Sequence, residues 1–354
     1  MYFEFNSAVC LRAVLRKECV GTKPDTLLEA MMGFKDVFLQ HPERRYIMFG
    51  GGGGVGKTTF SAAAAYWLAS HGKKVLVFSV DPQASLTDIF KRDIFGKGPV
   101  QIMQNLWAQE IDADKHIRAY QQEIRQKILD MYGLPAVPGE IERYIQAASA
   151  EPAMEESAMF DAVVDVVMKG DYDYYIYDLV PLGHALYYLS MAKVYDEWIN
   201  KVTKLREEMR EYEEMVSRIR REKVTEQDQI LQELLYIKNR INTSAGILTD
   251  KTKTAFFFVV IPEAGAINDT QKAAKMFAQF NVPLAGYVVN RVIPHQLLEQ
   301  NIPEYLRRRI AMQDQNLLGV RTAFGDQVLA MVPEMERDVT GLPMIEKLAA
   351  GMFA

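Results

Sequence analysis

The chain has 354 residues, 49% of them apolar and 25% charged, which is the composition of an ordinary soluble globular protein. Its formal net charge of −5 supplies no basic field for gripping DNA or RNA, so no nucleic-acid partner is expected. No apolar stretch approaches the roughly twenty residues that span a bilayer, and the start Met1-Tyr2-Phe3-Glu4-Phe5-Asn6 lacks the basic and apolar regions of a secretory signal, so a cytoplasmic chain is expected.

Residues 1–44 carry little patterning. Leu27-Leu28-Glu29-Ala30-Met31-Met32 reads as helical, and the whole stretch is expected to be a peripheral N-terminal extension of a body occupying residues 45–354. The chain's only cysteines, Cys10 and Cys19, both fall here. They form no C-x-x-C, so a zinc or redox motif is not supported. Reduced bystander thiols are the plain reading, beside a pair that captures a soft ion.

Tyr46-Ile47-Met48-Phe49 is a short apolar run suited to a buried strand, and it opens onto Gly50-Gly51-Gly52-Gly53-Gly54-Val55-Gly56-Lys57-Thr58-Thr59. From Gly51 onward the chain satisfies G-x-x-x-x-G-K-[ST]. In such a loop the backbone N–H groups of Gly51 to Gly56 wrap phosphates, Lys57 reaches the β and γ oxygens, and the Thr58 hydroxyl ligates Mg²⁺. Phe60-Ser61-Ala62-Ala63-Ala64-Ala65-Tyr66-Trp67-Leu68-Ala69-Ser70 favours helix. A helix starting near Lys57 aims unpaired N–H groups and the positive end of its dipole at the phosphate. A glycine linker would match the pattern by accident, without the strand before it and the helix after it.

Further β-like runs follow at Lys74–Val80, Leu106–Ile111, Tyr174–Tyr177, Phe256–Ile261, Ala285–Val289 and Val328–Val332. Several are continuously apolar and β-branched, as strands buried on both faces should be. With helices between them, the fold class is α/β: a doubly wound, mostly parallel sheet, with ligands at the carboxyl ends of the strands. Two stretches interrupt the alternation. Residues 113–169 carry long helical patterning. In residues 191–247, Val202, Leu205, Met209, Tyr212, Val216 and Ile219 recur at spacings of three and four, and the pattern resumes at Ile230, Leu234, Ile237 and Ile241. Both are assigned to an inserted helical subdomain, the second as a helical hairpin.

Two acids follow strands. Asp81 opens Asp81-Pro82-Gln83-Ala84-Ser85-Leu86-Thr87-Asp88 one βα unit after the glycine loop, where it is placed to orient an attacking water or to contact the Mg²⁺ shell; capping a helix is the alternative. Asp178 ends Tyr174-Tyr175-Ile176-Tyr177 in the manner of a Walker B carboxylate, acting on Mg²⁺ directly or through water. His184, alone after a turn, reads as a hydrogen-bonded structural residue.

The loop, the Asp81–Asp88 segment and Asp178-Leu179-Val180-Pro181-Leu182-Gly183-His184-Ala185-Leu186-Tyr187-Tyr188-Leu189 resemble the loop, switch I and switch II of the ArsA family of ATPases. That family includes arsenical pump-driving ATPases and ATPases that target tail-anchored membrane proteins. Val260-Ile261-Pro262-Glu263, Val288-Val289-Asn290-Arg291-Val292 and Val332-Pro333-Glu334 extend the likeness from about Tyr46 to the carboxyl terminus. The resemblance implies ATP/ADP and Mg²⁺ as ligands, with Lys57 and the loop amides on phosphate, Thr58 on Mg²⁺ and Thr59 on the α-phosphate. It also implies that Asp81 positions the water, that Asp178 serves the Mg²⁺ shell and that Asn290 recognises adenine. A homodimer, or a heterodimer with a related subunit, would close over nucleotide and control a membrane-protein or transporter client, placing the protein in the cytoplasm or peripheral to a membrane.

Departures from the family pattern accompany the likeness. Family members carry a lysine that reaches across the dimer to the other subunit's phosphates; Gly52 holds that place here. Leu179, Val180 and Leu182 stand where related proteins carry small or hydroxyl residues, and the family's zinc and metalloid cysteines are absent from the body of the chain. A slowly hydrolysing or non-hydrolysing ATP-dependent scaffold is therefore the alternative to an efficient pump or targeting ATPase. Met154, Met159, Met168, Met191, Met209 and Met215 are consistent with an adaptable groove for an apolar helix, or with ordinary helix packing.

Overall fold

The computed structural model describes residues 34–39, 41–80, 85–132, 162–179 and 250–353, with separate positions between 135 and 143 and between 197 and 249. At its centre is an eight-stranded sheet in the order β3-β4-β2-β5-β1-β6-β7-β8. The strands are β1 (Tyr46–Gly51), β2 (Val75–Ser79), β3 (Val100–Met103), β4 (Leu106–Glu110), β5 (Tyr174–Asp178), β6 (Thr254–Val260), β7 (Leu284–Val292) and β8 (Val328–Pro333). Every pairing is parallel except β3 with β4. The expected doubly wound, mostly parallel sheet is therefore the observed one. The short, half-polar β3 is an antiparallel edge strand that the apolar-run criterion did not find.

β2, β5 and β6 are buried at every position, because helices cover both faces of the sheet. The period of two sorts their side chains. Ile47, Phe49, Phe257 and Val259 enter one core layer, and Met48, Phe256, Phe258 and Val260 the other. α2 (Lys57–Ser70) fills the first layer through Phe60, Ala62, Ala63, Ala64, Ala65 and Leu68, where the short alanines allow a close approach to the strands. α7 (Leu342–Met352) packs beside it, and the rings of Trp67 and Phe353 stack with centroids 4.1 Å apart. α5 (Ala264–Gln279) and α6 (Glu304–Phe324) cover the other layer through Ile267, Phe277, Val320 and Phe324.

α1 (Phe34–Leu39) corrects one expectation. Phe34, Val37 and Phe38 lie inside the first core layer, with Phe34 4.7 Å from the Phe257 ring and 5.0 Å from the Phe353 ring. This part of residues 1–44 is therefore an integral piece of the domain and not a peripheral appendage. Six residues are too few to show a period in the sequence.

α4 (Ala113–Tyr132) and a helical run at 162–168 lie in the first stretch assigned to the helical subdomain, and β5 returns the chain to the sheet before the second. Arg240 from the second stretch pairs with Asp165 of the first at 2.9 Å. Leu205 is exposed rather than packed. The remaining hairpin positions (Val202, Met209, Tyr212, Val216, Ile219, Ile230, Leu234, Ile237 and Ile241) lie outside the described residues, as do Cys10 and Cys19. Among the described residues no helix is long and apolar enough to cross a membrane.

Candidate nucleotide site

β1 runs straight into the glycine loop, and the loop's backbone admits few side chains. Gly51 has φ +153°, and a Cβ there would stand 2.4 Å from the Val259 carbonyl oxygen of β6. Gly56, at φ +101°, is the N-cap of α2, and a Cβ would stand 2.6 Å from the Asn290 amide nitrogen. Both positions favour glycine because their positive φ is one that L side chains rarely adopt, and a Cβ would strike strand backbone at Gly51 and a side-chain amide at Gly56. Gly54 has φ +70° as well, but with open space around it. Gly52 and Gly53 are outside that φ range, and a Cβ at Gly52 would meet only Val55 Cγ1 at 3.7 Å.

α2 begins at Lys57 with no side-chain cap, so its first amides are not claimed by a capping residue. The Lys57 ammonium donates to the Gly52 carbonyl at 2.9 Å, which holds the positive charge across the loop. Thr58 and Thr59 occupy the first turn of the same helix. This is the arrangement of donors and dipole that favours a bound phosphate.

The topology brings Asp178 to this loop. In the sheet register Asp178 lies beside Phe49 of β1 and Ser79 of β2, and the Leu179 N–H donates to the Phe49 carbonyl at 3.2 Å. Asp178 is 3% exposed, and the buried Ser61 hydroxyl of α2 donates to its Oδ1 at 3.3 Å. The Ser79 hydroxyl donates to the Asp178 carbonyl at 3.4 Å. Burial pushes the phenol of the preceding Tyr177 well above its usual range, and the neighbouring Asp178 charge adds to the shift. Tyr177 therefore stays neutral and serves as packing, stacked on Phe78 at 4.8 Å.

From two strands away on the other side of β1, Asn290 of β7 reaches the loop: its amide donates to the Val55 carbonyl at 2.8 Å. The β7–β8 register shifts between Val289 and Val292, and Arg291 takes φ +57°. That bulge turns the Asn290 side chain toward the loop. Glu334 N–H donates to the Val292 carbonyl at 3.0 Å, keeping the ends of β7 and β8 together beside it.

Lys57, Thr58, Thr59, Asn290 and Asp178 thus converge at the carboxyl ends of the central strands. Asp81 to Ala84 and Val180 to Leu189, including Leu182 and His184, lie outside the described residues. Three polar residues that sequence reading assigned no role also belong here. Ser61 and Ser79 flank Asp178. Glu110, 1% exposed at the end of β4, accepts from the Leu86 N–H at 2.5 Å and the Thr87 hydroxyl at 2.6 Å. It thereby ties β4 to α3 (Ser85–Phe90), the helix that follows the Asp81 segment. A lone serine before an alanine run, a serine near the end of an apolar strand and a glutamate closing another strand were the signals for these three residues.

The fold and the loop define a P-loop nucleoside-triphosphate-binding α/β protein. Residues 44–354 match the family described as Anion-transporting ATPase. The chain belongs to this family of ArsA-type ATPases. It is 31% identical to the putative arsenical pump-driving ATPase 1 of Aquifex aeolicus over 318 residues, covering 86% of this chain and 78% of that protein. It is 27% identical to the putative arsenical pump-driving ATPase 2 of the same organism, covering 86% of this chain and 98% of that protein. With ATPase GET3C of Arabidopsis thaliana the identity is 29%, over 91% of this chain and 85% of that protein.

Proposed function

We propose that the protein is a Mg²⁺-dependent ATP-binding and ATP-hydrolysing switch that couples closure of two subunits over nucleotide to transport or targeting of a client. The observation that carries this reading is the convergence of Lys57, Thr58 and Asp178 on an uncapped helix start within a family of ATPases. Lys57 and the amides from Gly51 to Gly56 hold the β- and γ-phosphates, and Thr59 contacts the α-phosphate. Asn290, already seated on the loop, offers its Oδ1 and second amide hydrogen to the donor–acceptor edge of adenine. Asp81, two residues beyond the Ser79 that lies beside Asp178, orients the attacking water.

The Thr58 hydroxyl and a buried Asp178 carboxylate are hard oxygen donors, the set that suits Mg²⁺ together with phosphate oxygens and waters. An ion held there would supply positive charge against the phosphate oxygens. Thr58 would hold it, with Asp81 and Asp178 acting on it directly or through water.

The relatives named as arsenical pump-driving and GET3 ATPases support an anion pump or a membrane-protein client. Large apolar side chains exposed at Met168, Leu205, Met215, Leu235 and Tyr236 support a client with an apolar segment. Hydrolysis by the intact protein, compared with Lys57→Ala and Asp81→Asn, tests the enzymatic reading. Each variant is expected to lose about 10²-fold or more in turnover, the scale of one transition-state contact. Equal affinity and turnover in all three would sink the reading.

A specific residue favours a second reading. Gly52 brings no positive charge to a neighbouring subunit's phosphates, so the protein would act as a nucleotide-dependent scaffold, or would pair with a lysine-bearing subunit. A pull-down with ATP, in which Asp81→Asn blocks hydrolysis, separates these assemblies by whether the captured partner is a second copy or a related chain.

A further inference from the structure

Ser61 is 0% exposed, and its neighbours along α2 are Phe60 and Ala62 to Ala65. Alanine would suit such a position better, since it has the higher helix propensity and brings no polar group into an apolar layer. A buried helical serine commonly returns its proton to the carbonyl four residues earlier, here that of Lys57. Ser61 instead sends it across the helix–sheet boundary to Asp178 Oδ1, at 3.3 Å. Thr58 lies three residues before Ser61 and so on the same face of α2, the face turned to the end of β5. Asp178 is held from three directions: Ser61 on the carboxylate, the Ser79 hydroxyl on its carbonyl, and the Leu179 N–H bonded to β1.

We infer that Ser61 is a positioning residue for Mg²⁺: by engaging Oδ1 of Asp178 it sets the carboxylate's rotation so that it serves the ion ligated by Thr58. The inference rests on the Mg²⁺-dependent ATPase reading and extends it to a residue that touches neither ion nor nucleotide. Orientation of a ligand carboxylate by an outer hydrogen bond governs metal affinity, and losing such a partner lowers that affinity by about 10- to 100-fold. Phosphate grip by Lys57 and the loop amides does not pass through Ser61, so nucleotide affinity without the ion is independent of it.

The full chain with Ser61→Ala is titrated with a fluorescent ATP analogue in EDTA, and then with Mg²⁺ at fixed nucleotide. Affinity in EDTA is expected to match the wild type within about twofold, while the Mg²⁺ concentration for half-maximal response rises about tenfold or more. Thermal unfolding without nucleotide is expected to stay cooperative with at most a modest fall in temperature, the better helix propensity of alanine partly offsetting the donor lost to Asp178. Ser61→Thr, which keeps the hydroxyl, should restore much of the Mg²⁺ response. Wild-type Mg²⁺ dependence in Ser61→Ala overturns the inference, as does equal loss in EDTA and in Mg²⁺. Wild-type protein that binds nucleotide without any response to Mg²⁺ overturns the ion assignment and this inference with it. Wild-type protein that binds no nucleotide overturns the ATPase reading itself.

Discussion

At Gly52 the loop has room for a Cβ. The position is outside the left-handed region, and a Cβ would make one ordinary contact, 3.7 Å from Val55 Cγ1. Gly51, one residue earlier, combines a positive φ with a 2.4 Å approach to a backbone oxygen and accepts no side chain. Gly52→Lys is therefore expected to fold like the wild type, with an unfolding temperature unchanged within error. If two copies of this chain close on each other, steady-state ATP hydrolysis should rise by about 10²-fold, the scale of one added transition-state contact. A folded variant with unchanged turnover would show that the absent lysine does not limit the reaction. The motif was legible down to Lys57 and Thr58, because its glycine spacing reflects backbone geometry that few other residues allow. Ser61 was not legible, because a hydroxyl in a helix acquires its partner only when α2 meets β5.

Among the secondary-structure elements, α3 depends on one carboxylate. Glu110 accepts from the Leu86 N–H and the Thr87 hydroxyl, and that hydroxyl accepts from the Ile94 N–H at 3.2 Å. Glu110→Ala strands the buried Leu86 N–H and the part-buried Thr87 hydroxyl at the start of α3, a loss of about 3 kcal/mol at roughly 1–3 kcal/mol per orphaned group. A fall in the urea unfolding midpoint of the intact protein measures it. A midpoint unchanged from the wild type would show that water replaces the carboxylate. Strands could be read along the chain as short runs rich in apolar residues, and seven of the eight were found in this way, β1 through Tyr46-Ile47-Met48-Phe49 and the other six from the runs that follow the glycine loop. β3 escaped because an edge strand needs only one apolar face, and four residues with mixed burial leave no period to detect. α1 escaped for a related reason: its aromatic residues find their contacts on Phe257 and Phe353, more than two hundred residues away in sequence.

Over the whole molecule, the buried tyrosines set a limit in alkali. Burial is the leading cause that raises the phenols of Tyr172, Tyr174, Tyr175, Tyr177 and Tyr287 above the ordinary 10.0. In each case the folded state favours the protonated form, so the unfolded chain releases these protons first as pH rises. The contribution of these groups is fully present below about pH 10 and is lost progressively above it. The urea midpoint is therefore expected to fall as pH rises above about 10, and Tyr177→Phe should make the fall shallower. An identical pH profile in that variant would remove Tyr177 from the account.

The amino-acid sequence by itself determined the P-loop, the run of strands and the class of doubly wound sheet, because all three depend on local spacing: glycines at fixed intervals, apolar residues in short blocks, helix formers between them. Only the tertiary structure decided that β5 lies between β2 and β1, that Asp178 therefore meets Ser61 and Ser79, and that Asn290 crosses to Val55. These partners lie far apart along the chain, so no local pattern encodes their meeting. They are brought together by the strand order, which is settled only when the helices pack on both faces of the sheet.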